Sequence, residues 1–376
     1  NKKVFIRADL NVPIDGSIIS STSRIDASIP TIQYALDNAQ VVILTSHLGR
    51  PEEGIFDDSL SLKPIVDYLE EKLNIKIMLH RDFEKGQSFE PGMLHVLENV
   101  RFNIGEKKCS EDLSVKYASL ADVFVMDAFG TAHRTEASTY GIGKYIDEKC
   151  AGLLFYDEVD ALTKTFNQPK KPMLAIVGGS KVSTKLSVLK NLVNRIDGLI
   201  LGGGILNTFI AAQGFNIGKS LYEPDFVDEA KVILDEIKNR QIFFPTIVDV
   251  ICAKEFDVNA HAELKKIDEI ESDDMIFDLG PKTLKNITDH LVKVSTIMWN
   301  GPLGVFEFEQ FSSGTEALSR AIADGEAFSL AGGGDTIAAI EKYKVCKKIS
   351  YISTAGGAFL EFAEGKKLPA IEILEQ

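Results

Sequence analysis

Residues 173–181 read MLAIVGGSK: an apolar run with β-branched residues, then paired glycines, then a lysine that opens a helix-period segment. The same grammar recurs along the chain. Before it stand VFIRADLNV, VVILTSHLG, MLHVLENVRF and VFVMDAFG, and after it GLILGGGIL, IVDVICA, TIMWNGPLG, FSLAGGGDT and YISTAGGAF. Strands alternating with helices in this way predict parallel α/β sheets. Between the two series lie residues 151–172, AGLLFYDEVDALTKTFNQPKKP, in which Leu153, Leu154, Phe155, Val159, Leu162 and Phe166 recur at helical spacing before a proline break. This segment is expected to be a connecting helix, and IVDVICA a further strand of the second parallel series.

The chain has 376 residues, too many for one ordinary core, so two domains are expected. A composition 45% hydrophobic and 26% charged is that of a soluble globular protein. The net charge of −14 argues against a general nucleic-acid binder. Of the nine arginines, six lie in the first 150 residues, so a local basic pocket is expected there. The four cysteines form no metal-type or CxxC cluster, which fits a reducing cytoplasm. No apolar run is long enough to span a membrane, so no membrane partner is expected.

One stretch imitates a phosphate-binding P-loop. Residues 214–220, GFNIGKS, have only three residues between Gly214 and Gly218, and Gln213 stands where the motif needs glycine. The preceding GGGILNTFIAAQ reads as a helix, whereas a P-loop follows a buried strand. GFNIGKS is therefore read as a helix-terminating loop, and Lys219 is expected to leave ATP affinity almost untouched.

Better phosphate sites stand at the glycine-bearing strand ends: Gly178-Gly179-Ser180-Lys181, Gly202-Gly203-Gly204, Gly332-Gly333-Gly334-Asp335-Thr336 and Thr354-Ala355-Gly356-Gly357. Ligands of open parallel sheets bind beyond such ends, where helix N-termini point N–H groups outward. The nicotinamide fingerprint GxGxxG is not completed, since GGGILN ends in Asn207 and GGGDTI in Ile337. Lys181 and Lys185, four apart, are expected on one face of a helix. Asp335 is positioned to cap the next helix, to serve Mg²⁺, or both.

The first half carries a different chemistry at its strand ends. Arg7, Asp9, Asn11, Arg24, His47, Arg50, Arg101, His133 and Arg134 cluster there in sequence. Arginine forks suit phosphate and carboxylate, and Asp9 and Asn11 can fix a hydroxyl, so a small, highly anionic substrate is expected.

Taken in order, RADLNVP, SHLGRP, ENVRF, DAFGTAHR, GGSKVSTK, GGGILNTF, WNGPLGVFE, GGGDT and GGAFLEFAEGKKLP resemble the phosphoglycerate kinase family over essentially the whole chain. The resemblance implies two Rossmann-like three-layer αβα domains with parallel sheets, joined by a connecting helix and a cleft. It places a phosphoglycerate-binding domain at 1–151, with 361–376 folding back onto it, and a nucleotide-binding domain at 152–360. The implied reaction is reversible, Mg²⁺-dependent phosphoryl transfer between 1,3-bisphosphoglycerate with ADP and 3-phosphoglycerate with ATP, in a cytoplasmic, hinge-bending monomer of glycolysis. A kinase for another small carboxylate and a non-catalytic phosphometabolite-binding protein are the alternatives.

Carried over by the resemblance, Asp9 and Asn11 hold the glycerate end, Arg24, His47, Arg50, Arg101 and Arg134 form the basic acceptor site, and His133 lies in its wall. Arg24, Lys181, Gly333 and Gly357 are the implied catalytic positions. The nucleotide falls to Lys181, Lys185, Gly203, Gly204, Gly280, Pro281, Asn300, Glu307 (on the ribose), Gly332, Gly333, Gly334, Asp335 and Thr336, with Asp335 serving the metal. Two departures stand out. Ala355 replaces a glycine of the family's last loop and is expected not to need a positive φ. The family also carries a short segment ahead of its first strand, so the opening strand here is expected to lack a neighbour.

Overall fold

The computed structural model describes residues 2–16 and 18–376. The chain divides into two compact units, one made of the residues up to Asp160 together with Lys366–Gln376, the other of Ala161–Gly365.

The first unit is built on β1 (Lys3–Ala8), the small hairpin β2 (Ile14–Asp15) and β3 (Ile18–Ile19), then β4 (Val41–Thr45), β5 (Ile77–His80), β6 (Leu94–Leu97), β7 (Val123–Asp127) and β8 (Glu148–Ala151). Six of these strands form a parallel sheet in the order β5-β6-β4-β1-β7-β8. Successive side chains of β1 point to opposite faces. Ile6 and Ala8 join the core under helices α1 (Ser23–Asn38) and α2 (Lys63–Leu73), where Ile25, Ile32, Ile65 and Leu69 are fully buried. Phe5 instead meets Tyr117 of α3 (Glu111–Ala118) and Phe124, at ring separations of 5.5 and 6.4 Å.

The opening strand does not lack neighbours. β1 pairs with β4 on one side and β7 on the other, because the sheet's order puts the first strand at its centre and draws both partners from later sequence. The order reverses beside β1, since β4 lies to one side of it and β7 to the other. The ends of β1 and β7 thus flank a switch point of the kind at which open sheets bind ligands.

Helix α4 (Leu153–Phe166) carries the chain from one unit to the next. Its start is fixed by Asp127, whose carboxylate accepts from the Phe155 N–H at 3.1 Å, a negative charge at a helix N-terminus. At the other end of the chain, α12 (Pro369–Glu375) belongs to the first unit, where the Ala370 N–H donates to the Ala132 carbonyl at 3.1 Å. Residues 361–365 pack within the second unit.

The second unit contains β9 (Met173–Gly178), β10 (Gly198–Gly202), β11 (Asp249–Ala253), β12 (Glu263–Lys266), β13 (Met275–Leu279), β14 (Thr296–Asn300), β15 (Phe328–Ala331) and β16 (Tyr351–Ile352). Its parallel sheet runs β10-β9-β14-β15-β16, so a second switch point lies between β9 and β14. The helices are α5 (Leu186–Leu192), α6 (Gly203–Ala212), α7 (Val227–Asn239), α8 (Pro281–Leu291), α9 (Ser313–Asp324), α10 (Gly334–Lys342) and α11 (Gly357–Ala363). Trp299 is fully buried in β14, its indole N–H donating to the Gly301 carbonyl at 3.0 Å.

The IVDVICA strand is not part of the parallel sheet. It is the middle strand of a separate antiparallel sheet, β12-β11-β13. No crossover helix separates β11 from β12, and without one a parallel pairing cannot be closed.

Candidate active site

In the first unit, residues just beyond the strand ends converge. Asp9 follows β1, His47 follows β4, Arg101 follows β6, and His133 and Arg134 follow β7. Asn11 ties two of these loops together: its Oδ1 accepts from the Gly49 N–H at 2.9 Å, and its carbonyl accepts from Arg24 Nη1 at 2.8 Å. Arg24 Nη1 also stands 3.7 Å from Asp9 Oδ2. Buried Asn99 holds the loop after β4 by accepting from the Leu48 N–H and donating to the Leu48 carbonyl. Arg101 donates to the Gly49 carbonyl, and Arg101 and Arg134 each lie 3.6 Å from Glu136 Oε1. Arg50 is exposed, and a cavity of about 470 Å³ opens with Asn11 and Arg24 in its wall.

The electrostatics follow from this crowding. Burial, reinforced by Arg7, Arg101, Arg134 and Arg24, drives the His47 pKa well below its ordinary value, so the imidazole is neutral. Burial likewise lowers the Arg101 pKa. Arg7 is not one of the anion-facing arginines expected from sequence. It is fully buried, and its Nε donates to Ser138 Oγ at 2.9 Å while Nη1 donates to the Ala8 carbonyl at 2.5 Å.

In the second unit the centre of the site is Lys185. Its ammonium donates to the Gly178 carbonyl at 2.6 Å, to the Asn300 carbonyl at 3.2 Å and to Asn300 Oδ1 at 2.5 Å, joining the ends of β9 and β14 at the switch point. Burial pushes its pKa down to about 8, against an opposing pull from Asp335. Asn300 Nδ2 donates to the Gly332 carbonyl at 2.7 Å, and the Thr336 hydroxyl accepts from the Gly301 N–H at 2.7 Å. Gly333 has φ +98, and a Cβ there would also press on Asn300 Nδ2, so only glycine suits the loop.

Several expectations need correction. Lys181 and Lys185 do not share a helical face. α5 begins only at Leu186, and residues 182–185 form a turn, with Ser183 held by Glu223 from 40 residues away through its N–H and hydroxyl. Lys181 is exposed, whereas Lys185 points inward. Asp335 does not cap α10: Gly333 is the N-cap, no side chain caps the helix, and Asp335 sits exposed in its first turn. Ala355 is buried without a positive φ. Gly357 opens α11, and Glu307 is exposed.

Beside Gly203 and Gly204 lies a mostly apolar cavity of about 350 Å³ walled by Leu221, Phe256, Leu303 and Val305. Its wall reaches Leu279 but not Gly280 or Pro281, which instead start α8, where Asp249 accepts from the Lys282 and Thr283 N–H groups. The GFNIGKS stretch is a loop after α6, as its sequence suggests, yet Lys219 lines this cavity. Spacing alone gave no sign of that. A larger cavity, about 1000 Å³, opens beside Ser295 and Phe328 at the opposite ends of β14 and β15, and its position separates it from this chemistry.

Asp335 offers an exposed carboxylate with no helix-capping bond, a hard oxygen donor that fits Mg²⁺. Glu271, Asp273 and Asp274 also lie close enough together for an ion, but Lys254 and Lys265 already neutralise them at 2.8–2.9 Å.

The phosphoglycerate kinase family model matches residues 1–366. A phosphoglycerate kinase of Francisella philomiragia is 57% identical over 376 residues, covering 100% of this chain and 96% of the relative. One from Vibrio campbellii is 55% identical over 374 residues with the same coverage. Among solved structures, the phosphoglycerate kinase of Coxiella burnetii superposes with TM-score 0.96 at 50% identity, and that of Pyrococcus horikoshii with TM-score 0.82 at 32%, each covering 100% of this chain and 96% of the other.

Proposed function

The chain belongs to the phosphoglycerate kinase family, and from that premise we propose how its own residues divide the work of phosphoryl transfer. The reaction is transfer between a nucleotide and a carboxyl group, with ATP or ADP on one side and 3-phosphoglycerate or its acyl phosphate on the other. In this reading Asp9 and Asn11 hold the glycerate end, Arg24, Arg50, Arg101 and Arg134 neutralise its charges, and the neutral His47 meets it by hydrogen bonding, with His133 in the wall. Lys185 with Asn300 receives the nucleotide phosphates. The N–H groups of Gly333, Gly334 and Thr336 approach the same phosphates, while Gly332, whose N–H donates to the Trp299 carbonyl at 3.0 Å, lines the approach with its side-chain-free backbone, and Gly203 and Gly204 border the nucleoside in the apolar cavity. Glu307 serves the ribose.

The chemistry asks little of general bases. The acceptor carboxylate is ionised at neutral pH and is itself the nucleophile. The loose transition state spreads charge over three oxygens, so catalysis is mainly positioning and positive charge. Arg24 and Lys181 are assigned to that developing charge, with the Gly333 and Gly357 N–H groups beside it. Asp335 would hold Mg²⁺, which supplies charge neutralisation of the nucleotide phosphates when bound. Because the donor and acceptor residues belong to different units, transfer requires those units to close, which also excludes water from the acyl phosphate. The four free cysteines suit a reducing cytoplasm.

The observation that carries this reading is Lys185, an ammonium drawn inward across the ends of β9 and β14 beside the Gly332–Thr336 segment. A coupled assay with ATP and 3-phosphoglycerate tests it. Turnover is expected with Mg²⁺ and is expected to collapse on chelation. Equal rates with unphosphorylated small carboxylates would instead support the broader carboxylate kinase.

A further inference from the structure

We infer that Arg7 is a positioning residue that holds His47 in the tautomer with its proton on Nε2, so that the imidazole meets the anionic acceptor as a hydrogen-bond donor. The last clause rests on the acceptor-site reading above; the tautomer itself does not.

Arg7 lies in β1 and is fully buried, so each of its donors needs a partner. Nη1 donates to the Ala8 carbonyl at 2.5 Å and Nε to Ser138 Oγ at 2.9 Å. Ser138 passes the contact on, its hydroxyl donating to Glu106 Oε1 at 2.5 Å and its N–H reaching the same oxygen at 3.3 Å. Glu106 is fully buried as well, so Arg7 has an acidic partner one hydroxyl away. With two corners of the fork pinned, Nη2 stands 3.4 Å from His47 Nδ1.

A guanidinium has donors and no lone pair to offer. The ring nitrogen facing it must therefore be the bare one. One group argues for the opposite tautomer: Asp9 Oδ1 lies 3.9 Å from the same Nδ1 and would favour a proton there. That separation exceeds hydrogen-bond range, and the oxygen already accepts from the Asn11 N–H at 3.4 Å. Geometry thus decides for Arg7. The ring is also neutral, because burial and the surrounding arginines suppress its protonation, so its single proton belongs on Nε2. Among the described residues no protein group accepts from Nε2, which leaves this N–H for a ligand. The reversed tautomer would turn a lone pair toward a phosphate or carboxylate.

The test uses the full-length protein labelled with ¹⁵N at histidine, free of ligand at pH 7.5. Long-range ¹H–¹⁵N correlation distinguishes the protonated from the bare ring nitrogen. Wild type is expected to show Nε2 protonated at His47, and a proton on Nδ1 overturns the inference outright. Arg7→Lys, which keeps the charge but loses the fork, and Ser138→Ala, which removes only the hydroxyl clamp, are expected to give mixed tautomers. In both, KM for 3-phosphoglycerate should rise about tenfold, the worth of one charge-assisted hydrogen bond, while kcat stays near wild type. Should Arg7→Lys not fold, Ser138→Ala and the wild-type spectrum still decide. Variants that keep the wild-type tautomer contradict the positioning role whatever their kinetics. A changed tautomer with an unchanged KM would leave the role of Arg7 standing and overturn the acceptor-site reading.

Discussion

Replacing Lys185 with methionine should remove a pH dependence of nucleotide binding that wild type displays. The free protein holds this ammonium with a pKa of about 8, lowered by burial. Nucleotide phosphates bind the charged form, so binding must draw a proton from solvent wherever the lysine is neutral. The protonated fraction is about nine-tenths at pH 7 and about 3% at pH 9.5, so Kd for Mg-ADP should weaken about thirtyfold across that interval, near 1.4 kcal/mol per pH unit above 8. Phosphate ionisation, with a pKa near 6, is complete before this window opens and cannot supply the slope. The stability of the free protein should move the other way. A lysine whose folded pKa lies below its ordinary 10.5 binds more protons when unfolded, so stability rises with pH between 8 and 10.5, by on the order of 3 kcal/mol. Titration calorimetry in buffers of different ionisation enthalpy reads affinity and proton uptake together. A Kd that stays flat from pH 7 to 9.5, or a slope that survives in Lys185→Met, would refute the reasoning.

Arg24→Ala should lower kcat on the order of 10³-fold, by analogy with arginines that meet developing phosphoryl charge, while Kd for Mg-ADP stays at its wild-type value; steady-state kinetics and calorimetry check both halves. Lys219→Ala should weaken nucleotide binding no more than about fivefold, since the residue is an exposed cation at the cavity wall, and always less than Lys185→Met does; a fluorescent-nucleotide titration ranks the two. Gly178→Ala would drive a Cβ into the Pro302 carbonyl oxygen, where backbone cannot yield cheaply. The expected loss is about 3 kcal/mol, seen as a thermal transition several degrees lower, whereas Gly334→Ala, where a Cβ meets nothing, should leave the transition in place.

The parallel sheets were legible because each strand is an apolar run followed by its own glycine or polar cluster. That signal reports burial and not pairing. IVDVICA looks like its parallel counterparts, and its antiparallel partner β12, with the sequence ELKK, carries no apolar run to betray the small sheet. Residues one to three places past a strand end, such as Asp9, Asn11 and His47, were readable as site candidates because the ends of parallel strands face ligands. Arg7 was misjudged because it lies inside β1, and its partners Ser138 and Glu106 are more than ninety residues away. The spacing of Lys181 and Lys185 suggested a helix, but a distant carboxylate, Glu223, holds that segment as a turn. Lys219 reaches the cavity through folding of the loop after α6, which no local pattern encodes. The roles assigned to individual residues came from family resemblance, and composition alone could not have supplied them.

The proposed assignment of the two ligands to separate units is best tested by measuring binding of 3-phosphoglycerate and of Mg-ADP separately, by calorimetry at pH 7.5, to wild type, Arg24→Ala and Lys185→Met. Arg24→Ala is expected to weaken 3-phosphoglycerate binding measurably and keep Mg-ADP, and Lys185→Met to do the reverse. Either variant losing both ligands equally, with its fold intact, or losing only the ligand assigned to the other unit, would contradict the account.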